Sequence, residues 1–262
     1  MHRTVRGVEI HVTEPQGGGR ENEPSLLFIH GAGGDAAVWD AQAAYFRGVH
    51  PVYRLDLPGH GLSKGNGEEE ISGYAECVHT LLESTLPPHE WVVVGHSMGG
   101  AVALQLILDH PGFLKGVVLA GTGAKLGVLP IIIKLLETDP EAFYRTIDLA
   151  AFCSNTPADI REMSSRSIRR CPPQVALKDF KACNRFDVRN RLQEISLPSL
   201  IVCGESDRLT PAKYSEFLHQ HLQSSRLVLI PEAGHMPMAE KPDVFNEALH
   251  RFLDERVSEE IV

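Results

Sequence analysis

The sequence predicts an α/β protein in which a mostly parallel sheet is covered by helices on both faces. Three observations predict it. Apolar runs of strand length alternate with amphipathic runs of helix length, the order that strand–helix–strand units produce. Each apolar run ends in a glycine-rich or polar turn. The chain has 262 residues, 43% hydrophobic and 23% charged, enough to bury a sizeable core as one large domain or two small ones.

Taken in order, the first two strands are predicted as an antiparallel pair. They are VRGVEIHV (5–12) and the segment before Ser25, with GGGREN (17–22) as their exposed turn. The further strand candidates are SLLFIHG (25–31), VYRLDLPGHG (52–61), WVVVGHS (91–97), GVVLAGTG (116–123), SLIVCGESD (199–207) and RLVLIPEAGH (226–235). Helix candidates lie between them at 71–86, 98–110, 211–222 and 242–257. From 125 to 191 the alternation breaks: only helical patterns occur there, punctuated by Pro130, Pro140, Pro157, Pro172 and Pro173. A structureless loop of that length does not suit a compact domain. This segment therefore needs helices of its own, packed over something.

Composition narrows the partners. The net charge is 25 − 34 = −9 with histidines neutral, and lysines and arginines gather nowhere densely enough to form a phosphate-binding face. No nucleic-acid partner is expected. The start, MHRTVRGVEIHVTEP, has no apolar core of a secretory signal, and no stretch reaches the roughly 18 apolar residues of a membrane span. The five cysteines (Cys77, Cys153, Cys171, Cys183, Cys203) are odd in number and form no C-x-x-C pair, which predicts free thiols in a reducing, cytoplasmic setting.

The candidate chemistry begins at VVVGHSMGG (92–100), where a serine is ringed by glycines. GHSMG fits G-x-S-x-G directly after an apolar strand and before a helical pattern. A serine on so sharp a turn takes a strained backbone, and side chains two residues to either side would strike the neighbouring strand and helix. By itself the pattern also describes a plain glycine-rich turn. A serine hydroxyl needs a base, and the base an orienting acid. Asp207 and His235 stand at the ends of two later predicted strands, in the chain order Ser, Asp, His. Taken singly, Asp207 also reads as a helix cap or turn residue before LTPAKYSEF, and His235 as a polar loop residue among 13 histidines. Asp35, Asp109 and Glu205 are weaker candidates for the acid. HGAGG (30–34) follows the strand SLLFI, and its small residues let main-chain amides face inward, as an oxyanion hole demands. Ala32 and Met98 are the predicted donors; the alternative is a turn that is glycine-rich for flexibility alone.

With HGAGG, DLPGHGLS (56–63), GHSMGG, GESDRLTP (204–211) and EAGHMP (232–237) in this order, the chain resembles the α/β-hydrolase fold superfamily, in its compact, lidded, esterase-like group. The resemblance covers nearly the whole chain and is weakest in 125–191. It implies a mostly parallel eight-stranded sheet with a helical cap inserted after the sixth strand. The implied domains are a core of 1–124 and 192–262 with a cap of 125–191. Trp39 and Asp56 also match family positions and are read as structural, through packing and turn hydrogen bonds. Relatives that use aspartate or cysteine as nucleophile are excluded by Ser97. Relatives that place the acid after the sixth strand are excluded by Gly121, Thr122 and Gly123 at that point.

The expected activity is hydrolysis of small carboxylic esters through an acyl-enzyme on Ser97, with no cofactor and no metal. The alternatives are thioester or carbon–carbon hydrolysis by the same triad, or a low-turnover ligand receptor or signalling protein of this fold. Within the cap, VLPIIIKLLE (128–137) could line an acyl pocket or be buried against the core. RSIRR (166–170) could bind a carboxylate or a coenzyme A phosphate, or be a solvated helix face.

Overall fold

Strands that are apolar on both faces belong inside a sheet covered on both sides. In the computed structural model, which describes residues 1–17, 19–20, 23–87 and 90–257, the strands form one sheet of eight. They are β1 (His2–Val5), β2 (Val8–Thr13), β3 (Ser25–Ile29), β4 (Val52–Leu55), β5 (Trp91–His96), β6 (Gly116–Ala120), β7 (Ser199–Gly204) and β8 (Ser225–Ile230). Their order across the sheet is β1-β2-β4-β3-β5-β6-β7-β8. β2 runs antiparallel to β1 and β4, and the other pairings are parallel. Every residue of β3, β5, β6 and β7 is buried.

The helices are α1 (Asp40–Phe46), α2 (Ile71–Ser84), α3 (Met98–Asp109), α4 (Pro130–Thr138), α5 (Pro140–Ala151), α6 (Ala158–Arg170), α7 (Pro173–Arg185), α8 (Ala212–His221), α9 (Pro237–Glu240) and α10 (Pro242–Val257). Alternate strand residues point to opposite faces, and the two cores follow. Leu27, Ile29 and Val93 pack with α2 and α3. Leu26, Phe28, Val92 and Val94 pack with Phe46 of α1 and Phe245, Leu249 and Phe252 of α10. Trp39 joins the second core, its ring 5.0 Å from Phe28 and 6.0 Å from Phe245. The sequence gives no sign of α1, because only Gln42 and Phe46 of its seven residues are buried and no apolar period results.

The first hairpin differs from the expectation. Its strands are His2–Val5 and Val8–Thr13, in register Val5 to Val8, so VRGVEIHV holds the turn as well as parts of both strands. Arg6 and Gly7 have φ of +50° and +79°, the two-residue turn whose twist matches paired strands. The segment before Ser25 is not the partner strand, and residues 18, 21 and 22 of GGGREN lie outside the described residues.

Between β6 and β7 the chain forms α4 to α7, as the prolines foreshadow. Pro130, Pro140 and Pro173 are first residues of helices, and Pro157 and Pro172 immediately precede α6 and α7. Proline suits a helix start because its missing N–H would have had no partner there. The ends of the segment are tied together: Lys125 bridges Asp187, and the Val188 amide donates to Ala124 O at 2.8 Å. Ile132, Leu136, Phe143, Ile147 and Val175 form an apolar cluster of the segment's own.

Asp56, just after β4, ties three elements together. Its carboxylate accepts from the Ala36 amide (2.7 Å), the Leu62 amide (3.0 Å) and His11 Nδ1 (2.9 Å). Replacing it leaves these donors unpaired, so Asp56→Ala should lower the unfolding free energy by about 3 kcal/mol. Urea denaturation checks this, and a loss within experimental error would remove Asp56 from the framework.

Candidate active site

The sharpest local feature lies between β5 and α3. Ser97 has φ +52° and ψ −114°, a conformation that costs a non-glycine residue about 1–3 kcal/mol. Its surroundings hold it there. The Ser97 amide donates to Ala120 O (2.9 Å), and Ser97 O accepts from the Gly100 amide (3.0 Å) and Thr122 Oγ1 (2.7 Å). The flanking glycines are required by contact. A Cβ on Gly95 would fall 2.2 Å from Gly99 O, and one on Gly99 would fall 2.4 Å from Ile29 O.

The turn after β3 lies against this elbow, since a Cβ on Gly31 would fall 3.1 Å from Ser97 Cβ. The amides around it are committed: Ser97 N–H to Ala120 O, Gly33 N–H to Asp179 Oδ2, Gly34 N–H to Gly31 O. Those of Ala32 and Met98 have no protein acceptor among the described residues. His30, first residue of the turn, is wholly buried and stays neutral. Burial, with His60 adding to it, pushes its pKa down to about 4. Its Nε2 accepts from the Leu57 amide and its Nδ1 donates to Gly31 O.

His235 and Asp207 meet from the loops after β8 and β7. His235 Nδ1 donates to Asp207 Oδ2 at 2.9 Å, and both side chains are buried. Thr210 Oγ1 donates to the same oxygen at 2.8 Å, while Oδ1 accepts from the Leu209 and Thr210 amides. Asp207 thus caps the turn through both oxygens and bonds His235 through Oδ2. Burial alone would raise the Asp207 carboxyl, but the His235 ring and these hydrogen bonds outweigh it and hold the group below the usual carboxylate range. The His235 backbone is fixed too: its N–H donates to Ala151 O (2.7 Å), and its carbonyl accepts from His96 Nε2 (2.8 Å). His96 is kept neutral, its pKa pushed down to about 3 by burial and then by His235.

Ser97, His235 and Ala32 line one cavity of about 450 Å³. Its opposite wall comes from the segment between β6 and β7: Val128, Ile132 of α4, Ile147 of α5, Phe152, Ile168 of α6 and Phe180 of α7. VLPIIIKLLE takes the first of its two expected roles at the cavity, and its buried side chains belong to the segment's own cluster rather than to the sheet's cores. Ile132 lines the cavity and Leu136 is buried in the apolar cluster, whereas Leu129 and Ile131 are exposed. In RSIRR, Arg166 pairs with Glu162, and Arg169 with Glu141 and Asp148, the arrangement of a solvated face. Of the weaker acid candidates, Asp35 caps the short helical turn before α1, Asp109 bonds Gln105, and Glu205 is exposed.

Two contributors go unmarked in the sequence reading. Thr210 stands three residues after Asp207, a turn spacing that could have marked it. Glu240 of α9 accepts from the Gly234 amide at 2.8 Å and the Cys153 amide at 2.9 Å, anchoring the His235 loop from below. Among the described residues one group has metal-ligand chemistry, Glu76, His79 and His110. The two histidine rings stack at 3.5 Å and 5°, so their lone pairs run side by side instead of converging, and none of the three lines the cavity.

A model of the alpha/beta hydrolase family matches residues 26–248. The chain is 29% identical over 240 residues to a pimeloyl-(acyl-carrier protein) methyl ester esterase of Nitrosomonas europaea, a match covering 86% of this chain and 93% of that protein. It is likewise 29% identical over 240 residues to 3-oxoadipate enol-lactonase 2 of Acinetobacter baylyi, covering 88% and 89%. Among solved structures, a thermophilic esterase superposes with a TM-score of 0.85 at 36% identity over 97% of each chain.

Because the folded Asp207 carboxyl titrates below its usual range, its stabilising contribution is complete above the ordinary carboxylate pKa of about 3.9 and is lost as pH falls through the lower folded value. Urea unfolding from about pH 6 to pH 3 should show the wild type's advantage over Asp207→Asn shrinking below about pH 4. A gap independent of pH would contradict the pairing.

Proposed function

The chain belongs to the alpha/beta hydrolase family, and on that premise we propose that it is a serine hydrolase of small carboxylic esters. Ser97 is the nucleophile, His235 the base, Asp207 the orienting acid, and the Ala32 and Met98 amides the oxyanion hole. The observation that carries this reading is the 2.9 Å hydrogen bond from His235 Nδ1 to buried Asp207, in a cavity that Ser97 also lines. It leaves Nε2 as the free ring nitrogen. The relatives' names, a methyl ester esterase and an enol-lactonase, both describe cleavage of carboxylic esters.

In the first half-reaction Ser97 Oγ bonds to the ester carbonyl carbon and its proton passes to His235 Nε2. The carbonyl π electrons move to the oxygen, which the Ala32 and Met98 amides hold. Asp207 stabilises the imidazolium. As the carbonyl re-forms, the C–O bond to the alcohol breaks, and the alcohol leaves with the proton from His235. Water then attacks the acyl-enzyme with His235 as base, releasing the acid and restoring Ser97. No metal or cofactor enters these steps.

Residues 125–191 act as the cap over this chemistry, within the domain division 1–124, 125–191 and 192–262. Ile132, Ile147, Ile168 and Phe180 give the cavity an apolar wall suited to an acyl chain or alcohol. Among the described residues no helix is long and apolar enough to cross a membrane, and all five cysteines are buried free thiols. The free thiols fit a reducing, cytoplasmic compartment, and the net charge of −9 fits a small ester or acyl substrate better than nucleic acid.

A fluorophosphonate probe should label Ser97, with the adduct located by mass spectrometry. Ser97→Ala and His235→Ala should each abolish labelling at neutral pH, because an unassisted serine is essentially unreactive there. Asp207→Asn should keep the fold and lower kcat by up to roughly 10⁴-fold. Labelling that survives Ser97→Ala, or a loss below about tenfold in Asp207→Asn, refutes the corresponding role.

In a panel of p-nitrophenyl esters and matching thioesters, Ile132→Ala and Phe180→Ala should shift relative kcat/KM between short and long acyl chains by about 10-fold or more. One common factor for every substrate would contradict a selecting cap.

A further inference from the structure

Asp179 of α7 is wholly buried, yet each of its hydrogen-bond partners lies outside the segment that carries it. Oδ2 accepts from the Gly33 amide (2.8 Å) and from His60 Nε2 (2.7 Å), and Oδ1 from the Tyr74 hydroxyl (2.5 Å). His60 and Tyr74 are wholly buried as well. The other nitrogen of His60, Nδ1, faces Pro58 O at 3.1 Å, so both nitrogens donate and the ring is a cation paired with the carboxylate. Burial works against that charge, but Asp179 outweighs it and holds His60 well above the ordinary histidine range.

This ion pair sits at the turn after β3, next to the Ala32 amide. The turn is glycine-rich, and its own hydrogen bonds, from Gly34 N–H and from His30 Nδ1, both end on Gly31 O. Both hold the Gly31–Ala32 peptide, which carries the Ala32 N–H. The bond from the Gly33 amide to Asp179 holds the next peptide, Ala32–Gly33, so the turn is anchored on the other side of Ala32 as well.

We propose that Asp179 is a positioning residue for the oxyanion hole, through which the inserted helices hold in place the turn that presents the Ala32 amide. The proposal rests on the reading of Ala32 as an oxyanion donor. A buried ion pair is on its own no better for stability than a well-packed apolar replacement. A donor held ready for the transition-state oxygen is worth about 10²–10³ in rate. The role thus gives the pair a purpose that stability does not. It also makes the inserted segment part of the catalytic framework as well as of the pocket wall.

Asp179→Asn tests this, since asparagine can still accept from Gly33 but cannot satisfy both His60 and Tyr74. Steady-state hydrolysis of p-nitrophenyl acetate is measured beside inhibition by a trifluoromethyl ketone, whose adduct places an oxyanion in the hole. Both are read well below the variant's unfolding transition. Expected are a kcat lowered by roughly 10- to 100-fold and a ketone inhibition constant raised by a similar factor, with KM changed less than about threefold. Tyr74→Phe removes a single donor and should show the same split at roughly 3- to 10-fold; it decides the matter if Asp179→Asn does not fold. A folded variant with kcat and inhibition constant within about twofold of wild type overturns the role of Asp179, whatever its melting temperature. A wild type that neither hydrolyses the ester nor binds the ketone overturns the reading beneath it, and the proposal too.

Discussion

The close approach of backbone to backbone at Ser97 is the constraint on which the site depends. β5 runs into α3 through a residue at φ +52°, and the helix start is pressed so near β3 that a Cβ on Gly99 would overlap Ile29 O. The turn that follows β3 is thereby brought beside Ser97. Only a sheet buried on both faces, with β3 and β5 paired in parallel from Ser25 to Ile29, makes that proximity rigid.

Two polar networks extend the constraint to parts of the chain far away in sequence. On one side Asp207, Thr210 and His235 interlock, and the His235 backbone is held by Ala151 at the end of α5 and by His96 of β5. On the other side Asp179 reaches from α7 to Gly33, His60 and Tyr74. Both networks join the segment between β6 and β7 to the sheet at main-chain atoms beside the cavity. Apolar contact alone would tolerate sliding, whereas buried hydrogen bonds leave few alternative positions.

Much of this was legible in the sequence because local patterns carried it. Continuous apolar runs marked β3 to β8, and the residues Ser97, Asp207 and His235 stood at strand ends where the chain turns out of the sheet. The first hairpin is hard to place from sequence because its turn, Arg6–Gly7, is only two residues long and inconspicuous beside GGGREN. α1 leaves no sign in the sequence because it buries too little to produce a period. The Asp179 network could not be read at all. Its members are separated by as many as 146 positions, and nothing in DFKAC around Asp179 distinguishes its buried aspartate from the exposed ones. Pairing of that kind is a tertiary fact without a local signal.

Everything proposed for this site turns on Ser97 facing an oxyanion site built from the Ala32 and Met98 amides, beneath the inserted helices. A crystal structure of the chain after reaction with an alkyl fluorophosphonate tests it most directly. Expected are phosphorus bonded to Ser97 Oγ, the phosphoryl oxygen about 2.7–3.1 Å from both amides, and the alkyl chain against Ile132 and Phe180. An adduct on another residue, or a phosphoryl oxygen turned away from those amides, would contradict it.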